Sequence, residues 1–489
     1  MNRRAPYPPR ALAAALLLGL LGQALFYGAG PGLNMFLWLG GLSAAGLILM
    51  RGPDRSVSPT VGWLAVAAFG FSAGFAWRDS AALWFLDCLS LIAVFALIPG
   101  PALPRTVNEV LGRIGGSVAN LSAGFPMLAV EARREWSSRG NSRSTAVAAG
   151  RGLVIATPLL VVFGSMLTAA DARFERWVGW LLDPPDLFPR LMMAGVFAWI
   201  AGGSLRWVLT RQAATSEGSG QPRTGLGRIE VAVILGTVNL LFLGFVLAQL
   251  GYFFGGSALV LDSPDLTYSD YARRGFFELV AVSALVLPTL LLLDARVREV
   301  GARVAFRWLA AVQIGLVLVI MSSAVHRMLL YTRAFGLTEA RLLASAFMGW
   351  LGLVLLWVVV TLLRDRAERF LPGALLIWSM GVFALQAVNP AAVVVQVNVS
   401  RAEQGKGIDA AYLARLGPDA VPDLVAALPR LDPLTRQEVA FRLRSCGPRP
   451  VTDWREWNLS RARAHAVMDE NAAALQAMSE QSAARHCWD

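Results

Sequence analysis

The sequence predicts an all-α fold, a polytopic transmembrane helix bundle of about eleven spans with a small helical domain at its C-terminus. Three observations predict it. The chain of 489 residues is 56% hydrophobic and only 16% charged, too apolar for an ordinary soluble domain. Its apolar residues come in runs of roughly 17 to 25, whereas buried strands of a soluble α/β protein last about four to eight. Its 44 Lys and Arg against 33 Asp and Glu concentrate between those runs, as loops held on the anionic inner side of a membrane require. No nucleic-acid motif accompanies the positive charge, so the expected partner is the lipid bilayer and not nucleic acid.

The apolar segments lie near 11–29, 33–50, 61–77, 81–98, 150–170, 188–207, 229–254, 275–293, 305–326, 343–363 and 371–388. Each is expected to be helical, because a lone strand in hydrocarbon leaves backbone N–H and C=O groups unpaired at several kcal/mol apiece. The alternating segments of a membrane β-barrel are absent. Arg3, Arg4 and Arg10 precede the first run in the manner of a signal peptide. Its cleavage pattern is weak and a second run follows at Leu33, so the first reads as a retained span in a hairpin with the second. With the N-terminus inside, 23 arginines fall in cytoplasmic segments and nine in short external loops, which agrees with the positive-inside rule. An odd span count then places residues from Asn389 onward outside.

Four regions follow: an N-terminal four-helix membrane region, 1–98; a basic cytoplasmic or interfacial segment, 99–149; a seven-helix membrane core, 150–388; and an extracytoplasmic helical tail domain, 389–489. Segment 99–149 carries Arg133, Arg134, Arg139 and Arg143 near Trp136. That composition suits interfacial helices on an anionic membrane surface, or a docking site for a cytoplasmic partner. In the tail, prolines separate amphipathic stretches 410–416, 421–428 and 434–443, and Asp409, Asp419 and Asp432 stand where helix N-caps are needed. The Ala-rich stretch 457–485 is expected to form one longer helix. Cys446 and Cys487 are the pair that an oxidising compartment would allow to bond; Cys88 sits inside an apolar run.

The chain lacks a phosphate-binding loop, a zinc-protease helix, a dinucleotide fingerprint and a Cys-x-x-Cys pair. Three histidines, His326, His465 and His486, do not make a histidine-rich metal site. No cofactor and no metal are therefore expected. Gly70 and Gly74 form a Gly-x-x-x-Gly pair, which permits close helix approach within the monomer or across a dimer. The informative feature is a polar cluster at the external ends of the spans. Tyr268, Asp270, Tyr271, Arg273, Arg274 and Glu278 lead into the eighth span; His326, Arg327, Tyr331, Arg333, Glu339 and Arg341 join the ninth to the tenth. Arginines among aromatics bind phosphate or carboxylate through the guanidinium fork, so an anionic headgroup is a natural ligand. The bland alternative pairs Arg273, Arg274, Arg327 and Arg341 with Asp265, Asp270, Glu278 and Glu339 at the interface. Asp87 in the fourth span, with Gln249, Gln313 and Gln386, adds polar atoms within the bundle.

The runs 268–278, 327–341, Val388-Asn389-Pro390 and 454–461 resemble the signatures of a bacterial multi-pass membrane family, domain of unknown function 4173, related to 4153. The resemblance covers roughly 148–463. It implies the bacterial cytoplasmic (inner) membrane and supplies no catalytic residues. The expected function is binding or scaffolding of an envelope partner or anionic lipid at the external face. One rival is an enzyme on a lipid-linked phosphate, with Glu278 or Asp270 as base and Arg273, Arg274 and Arg327 on the phosphate. The other is a transporter, which should show an inverted repeat or broken helices.

Overall fold

The computed structural model describes residues 7–50, 59–97, 107–138, 184–212, 225–254, 276–297, 299–364, 366–448 and 450–479, with positions 163, 166 and 171. Among these residues the secondary structure is helical, and the sole β feature is an isolated bridge between Leu226 and Val297. The apolar runs become α1 (Pro8–Phe26), α2 (Leu33–Met50), α3 (Pro59–Trp77), α4 (Ala81–Leu97), α6 (Pro184–Gln212), α7 (Arg228–Phe254), α8 (Phe276–Asp294), α9 (Val300–Phe335), α10 (Glu339–Leu363) and α11 (Phe370–Val388). The expected fifth span, 150–170, lies almost wholly outside the described residues.

Seven of these helices are long and apolar enough to cross a membrane: α1, α2, α6, α7, α9, α10 and α11. Two shorter apolar stretches, Ala65–Trp77 in α3 and Ala81–Leu97 in α4, accompany them. Helix α9 is longer than its expected span. Its 36 residues extend about 54 Å at 1.5 Å per residue, against a hydrocarbon core of about 30 Å. Residues 308–325 carry no charge, so the turns holding Arg303 and Arg307 at one end and His326 to Phe335 at the other lie at or beyond the bilayer surfaces.

Within the basic segment the described residues form one amphipathic helix, α5 (Val107–Ser138), laid across α6. Glycines allow the close crossing: a Cβ on Gly203 would stand 2.5 Å from the Asn120 carbonyl, and one on Gly124 would stand 2.8 Å from the Gly203 Cα. Arg206, buried in the crossing, donates to Glu131 at 2.8 Å and to the Asn120 amide oxygen at 2.7 Å. Arg113 Nη1 donates to the last carbonyl of α4, Leu97, at 2.8 Å. One side of α5 leaves Leu111, Ile114, Val118 and Leu121 exposed at helical spacing.

The C-terminal segment is built from α12 (Pro390–Glu403), α13 (Ala410–Ala414), α14 (Val421–Ala427), α15 (Pro433–Cys446), α16 (Leu459–Glu470) and α17 (Ala472–Ser479). They enclose a core of Val394, Val395, Leu413, Leu424, Val439 and Leu443. Asn389 adopts φ +58°, a left-handed conformation that asparagine tolerates, and its side chain accepts from Ala392 N–H. Pro390 follows at the first helical position, where its missing N–H costs nothing. The Asn-Pro pair thus ends α11 and starts α12. Asp409 and Asp432 cap α13 and α15 as expected; Asp419 does something else, described below. The single long helix expected over 457–485 is divided. A 3-10 turn occupies Trp454–Glu456, and α16 stops at Asn471, whose Nδ2 turns back to the Val467 carbonyl and closes the last turn. Cys487 and the side chain of Cys446 fall outside the described residues, and with them the expected disulfide.

Replacing Gly203 with leucine should drive α5 off α6 and destabilise the protein by about 1–3 kcal/mol, the usual cost of overpacking. Thermal unfolding in detergent, followed by size-exclusion chromatography, reads the loss; an unchanged midpoint would contradict the close crossing.

Candidate functional site

On one face of the bundle the α1–α2, α3–α4 and α9–α10 turns and the end of α11 meet the C-terminal helices, and the contacts start from unsatisfied backbone groups. An α-helix leaves its last carbonyls and first amides without partners. Helices α3 and α4 are separated by Arg78, Asp79 and Ser80, too few residues to satisfy those groups. The buried amide of Asn458 supplies both needs at once. Its Nδ2 donates to the Phe75 and Arg78 carbonyls, each at 2.8 Å, closing the end of α3. Its Oδ1 accepts from Ser460 and Arg461 N–H, starting α16.

Arg78 is 8% exposed. Its Nε donates to the Gln386 carbonyl at 2.7 Å and its Nη2 to that of Ala387, which closes α11; its Nη1 lies 3.5 Å from the Asp419 carboxylate. Asp419, 3% exposed, also accepts from Asp79 N–H at 2.8 Å, at the start of α4, and from the Ser460 hydroxyl. Burial pushes the Asp419 carboxyl above its usual value, against the opposing pull of Ser460, the Asp79 amide and Arg78. Asp79 receives a bidentate Arg461, with Nε at 2.9 Å and Nη2 at 2.6 Å. The hairpin between α1 and α2 is held in the same way: Gly30 N–H donates to Glu456 at 2.6 Å, Leu33 N–H to the Trp457 carbonyl at 2.9 Å, and Arg455 Nη1 to the Ala24 and Tyr27 carbonyls.

The expected polar cluster divides against this frame. Tyr268, Asp270, Tyr271, Arg273 and Arg274 lie outside the described residues. Glu278 is exposed in the first turn of α8 and His326 is exposed on α9. Arg327, Tyr331 and Arg333 follow His326 along α9. Glu339 accepts from the Ser80 hydroxyl at 2.7 Å, and its N–H donates to Tyr412 Oη at 2.8 Å. Arg341 donates to the Gly336 carbonyl and lies over the Tyr331 ring, 4.1 Å from its centroid. Around Gly336, Asn398 bonds both the N–H and the carbonyl of Leu337, and Arg401 Nη2 donates to the Ala334 carbonyl at 2.9 Å. The turn from α9 to α10 therefore holds down α12 and α13. The charged residues missed by sequence reasoning, Arg78, Asp79, Asp419 and Arg461, looked like ordinary loop and capping residues. The one available signal was the 454–461 string, which supplies Arg455, Glu456, Asn458, Ser460 and Arg461.

Inside the bundle, Gln386 Nε2 donates to Asp87 Oδ2 at 2.8 Å, joining α11 to α4, and both residues are 1% exposed. Gly74 packs against them: a Cβ there would fall against Asp87 Oδ2 and 2.8 Å from Gln386 Nε2. Gly70 lies against Phe383, so this glycine pair is used for packing within the chain. Among the described residues no group of three His, Cys, Asp or Glu is placed to hold a metal.

Long apolar helices joined by polar turns and capped on one face define a helical membrane protein. A family model described as Domain of unknown function (DUF4153) matches residues 65–427, and the chain belongs to that family. The match supports the relation to 4153 inferred from sequence; it begins in α3, taking in Arg78, Asp79 and Asp87, and stops at the end of α14, before the 454–461 string. No curated protein and no solved structure matches the chain.

Asp419→Ala leaves the Arg78 guanidinium buried without its counter-charge, a loss of about 3–5 kcal/mol, and Asn458→Ala removes capping bonds worth about 1 kcal/mol at each helix end. Limited proteolysis of both variants should release the C-terminal segment while the bundle stays intact; wild-type resistance would contradict the docking scheme. Gln386→Leu should lower the unfolding midpoint in detergent, since an unmatched buried polar group costs about 1–3 kcal/mol. Gly74→Ala should do so as well, by crowding Asp87; midpoints equal to wild type would argue against the buried pair.

Proposed function

We propose that this is an eleven-span protein of the bacterial inner membrane, N-terminus inside. In this reading residues 389–489 form an extracytoplasmic helical cap, and the protein binds or scaffolds an envelope partner or anionic lipid at that face. The observation that carries the reading is the fastening of the α1–α2, α3–α4 and α9–α10 turns and the end of α11 to one C-terminal unit through buried polar contacts. A cap attached in that way is a fixed platform, not a tethered module.

The distribution of helix ends supports the span count. Helix α4 ends on the uncapped face, where Arg113 meets Leu97, and α6 begins on the capped face, where Tyr27 Oη donates to Asp186 at 2.8 Å. This arrangement favours a crossing between them, and 150–170 is the apolar run available for it. Arg206, Arg228, Arg296, Arg303, Arg307 and Arg364 lie at helix ends on the uncapped face, which favours that face as cytoplasmic. The exposed stripe of α5 and the basic residues that follow it suit a helix lying in the inner leaflet. Leu434, Trp454 and Trp457 are exposed on the cap and give it apolar surface for a partner.

The rivals draw less support. Of the bases expected for an enzyme, Glu278 is exposed in the first turn of α8, while Asp270 and the Arg273 and Arg274 expected on a phosphate fall outside the described residues. For transport, Asp87 is closed in by Gly74 and Gln386. Alkaline phosphatase and, separately, green fluorescent protein fused after Asp489 test the topology on which the scaffold rests. Phosphatase activity without fluorescence is expected. Fluorescence alone would move the cap to the cytoplasm and end the envelope reading.

A further inference from the structure

A cavity of about 960 Å³ opens between α4, α8, α10 and α11. Its walls are apolar, with Phe85, Phe347, Trp350 and Trp378 as the large side chains and no ionisable residue among the lining. Along α10 it runs from Leu343 to Leu353, and along α11 from Val388 back to Ile377. These eleven and twelve helical residues span about 15–17 Å, half of a hydrocarbon core of about 30 Å. The groove therefore begins at the capped ends of these helices and stops near mid-bilayer, the depth of one leaflet. At its mouth Ser80 bonds Glu339, and the exposed Glu278 lies two residues from the lining Val280. Within it, the indole N–H of Trp350 has no hydrogen-bond partner among the described residues.

We propose that this groove is a binding site for a phospholipid of the leaflet on the capped side, one acyl chain lying between α10 and α11 with its headgroup at the Ser80–Glu339 rim. The inference depends on these helices crossing the bilayer and is independent of which face is cytoplasmic. The chain length that one leaflet supplies equals the length of the groove, and an apolar wall ending at a polar rim matches the order of chain and headgroup. Gly349 gives a way to close it: a Cβ there meets nothing within 4 Å, so a large side chain enters the cavity without displacing backbone.

The test places a photoreactive benzoylphenylalanine at Phe347, in the groove, and in a second protein at Leu241, which is 70% exposed on α7 and outside the groove. Each full-length protein is extracted from membranes, exchanged through detergent, illuminated and weighed intact. A phospholipid-sized adduct is expected at position 347 and not at 241, and Gly349→Trp in the 347 background should abolish it. Adducts surviving equally at both positions, or at neither, would mean bulk lipid only. A cross-link to this chain's own 150–170 segment, or a doubled mass from a second copy, would give the groove another occupant. An adduct at 347 undiminished by Gly349→Trp in a monodisperse protein would also overturn the proposal.

Discussion

The backbone amides and carbonyls left over where helices end are the constraint on which the capped face depends. In hydrocarbon such groups are not tolerated, and at a crowded bundle end water reaches them poorly. The turns here are short, so the partners come from far along the chain. Asn458 closes α3 and opens α16, Arg78 closes α11, and Asp419 meets the Asp79 amide in the α3–α4 turn. Each of these side chains serves two elements, which ties the order of the cap to the order of the bundle.

The charges in this network are arranged so that none is left alone. Arg78 lies between Asp419 and two carbonyls, and Asp79 takes both nitrogens of the Arg461 fork. A buried ion pair is weak evidence of net stability, because desolvation offsets most of the attraction. Its value here is specificity. The cap can sit in one orientation without stranding a charge, and the same reasoning applies to Arg206 with Glu131 where α5 crosses α6. Both faces of the bundle thus use a buried arginine to fix an element that hydrophobic packing alone would let slide.

Much of the architecture was legible in the residues. Apolar runs marked ten of the helices, seven of them long and apolar enough to cross a membrane, because backbone satisfaction in lipid favours helix for such runs. Asp409 and Asp432 announced their helices by the chemistry of the N-cap. The arginine cluster was legible only as a list. Glu339 and Arg341 meet Ser80, Tyr412 and the Gly336 carbonyl, since the turn they occupy is the seat of α12 and α13.

By itself the sequence determined that this chain belongs in lipid and is helical there, because run length and the cost of an unpaired amide in hydrocarbon are local properties. It also determined the break at Asn389-Pro390, where one residue tolerates a left-handed backbone and the next cannot continue the hydrogen-bond ladder. Only the tertiary structure decided that Arg78 meets Asp419, that Arg461 meets Asp79 and that Asp87 meets Gln386. Those partners lie hundreds of residues apart. Nothing in hydropathy, spacing or charge pattern encodes a pairing that exists only after the helices have packed and the ends on one face have been brought together.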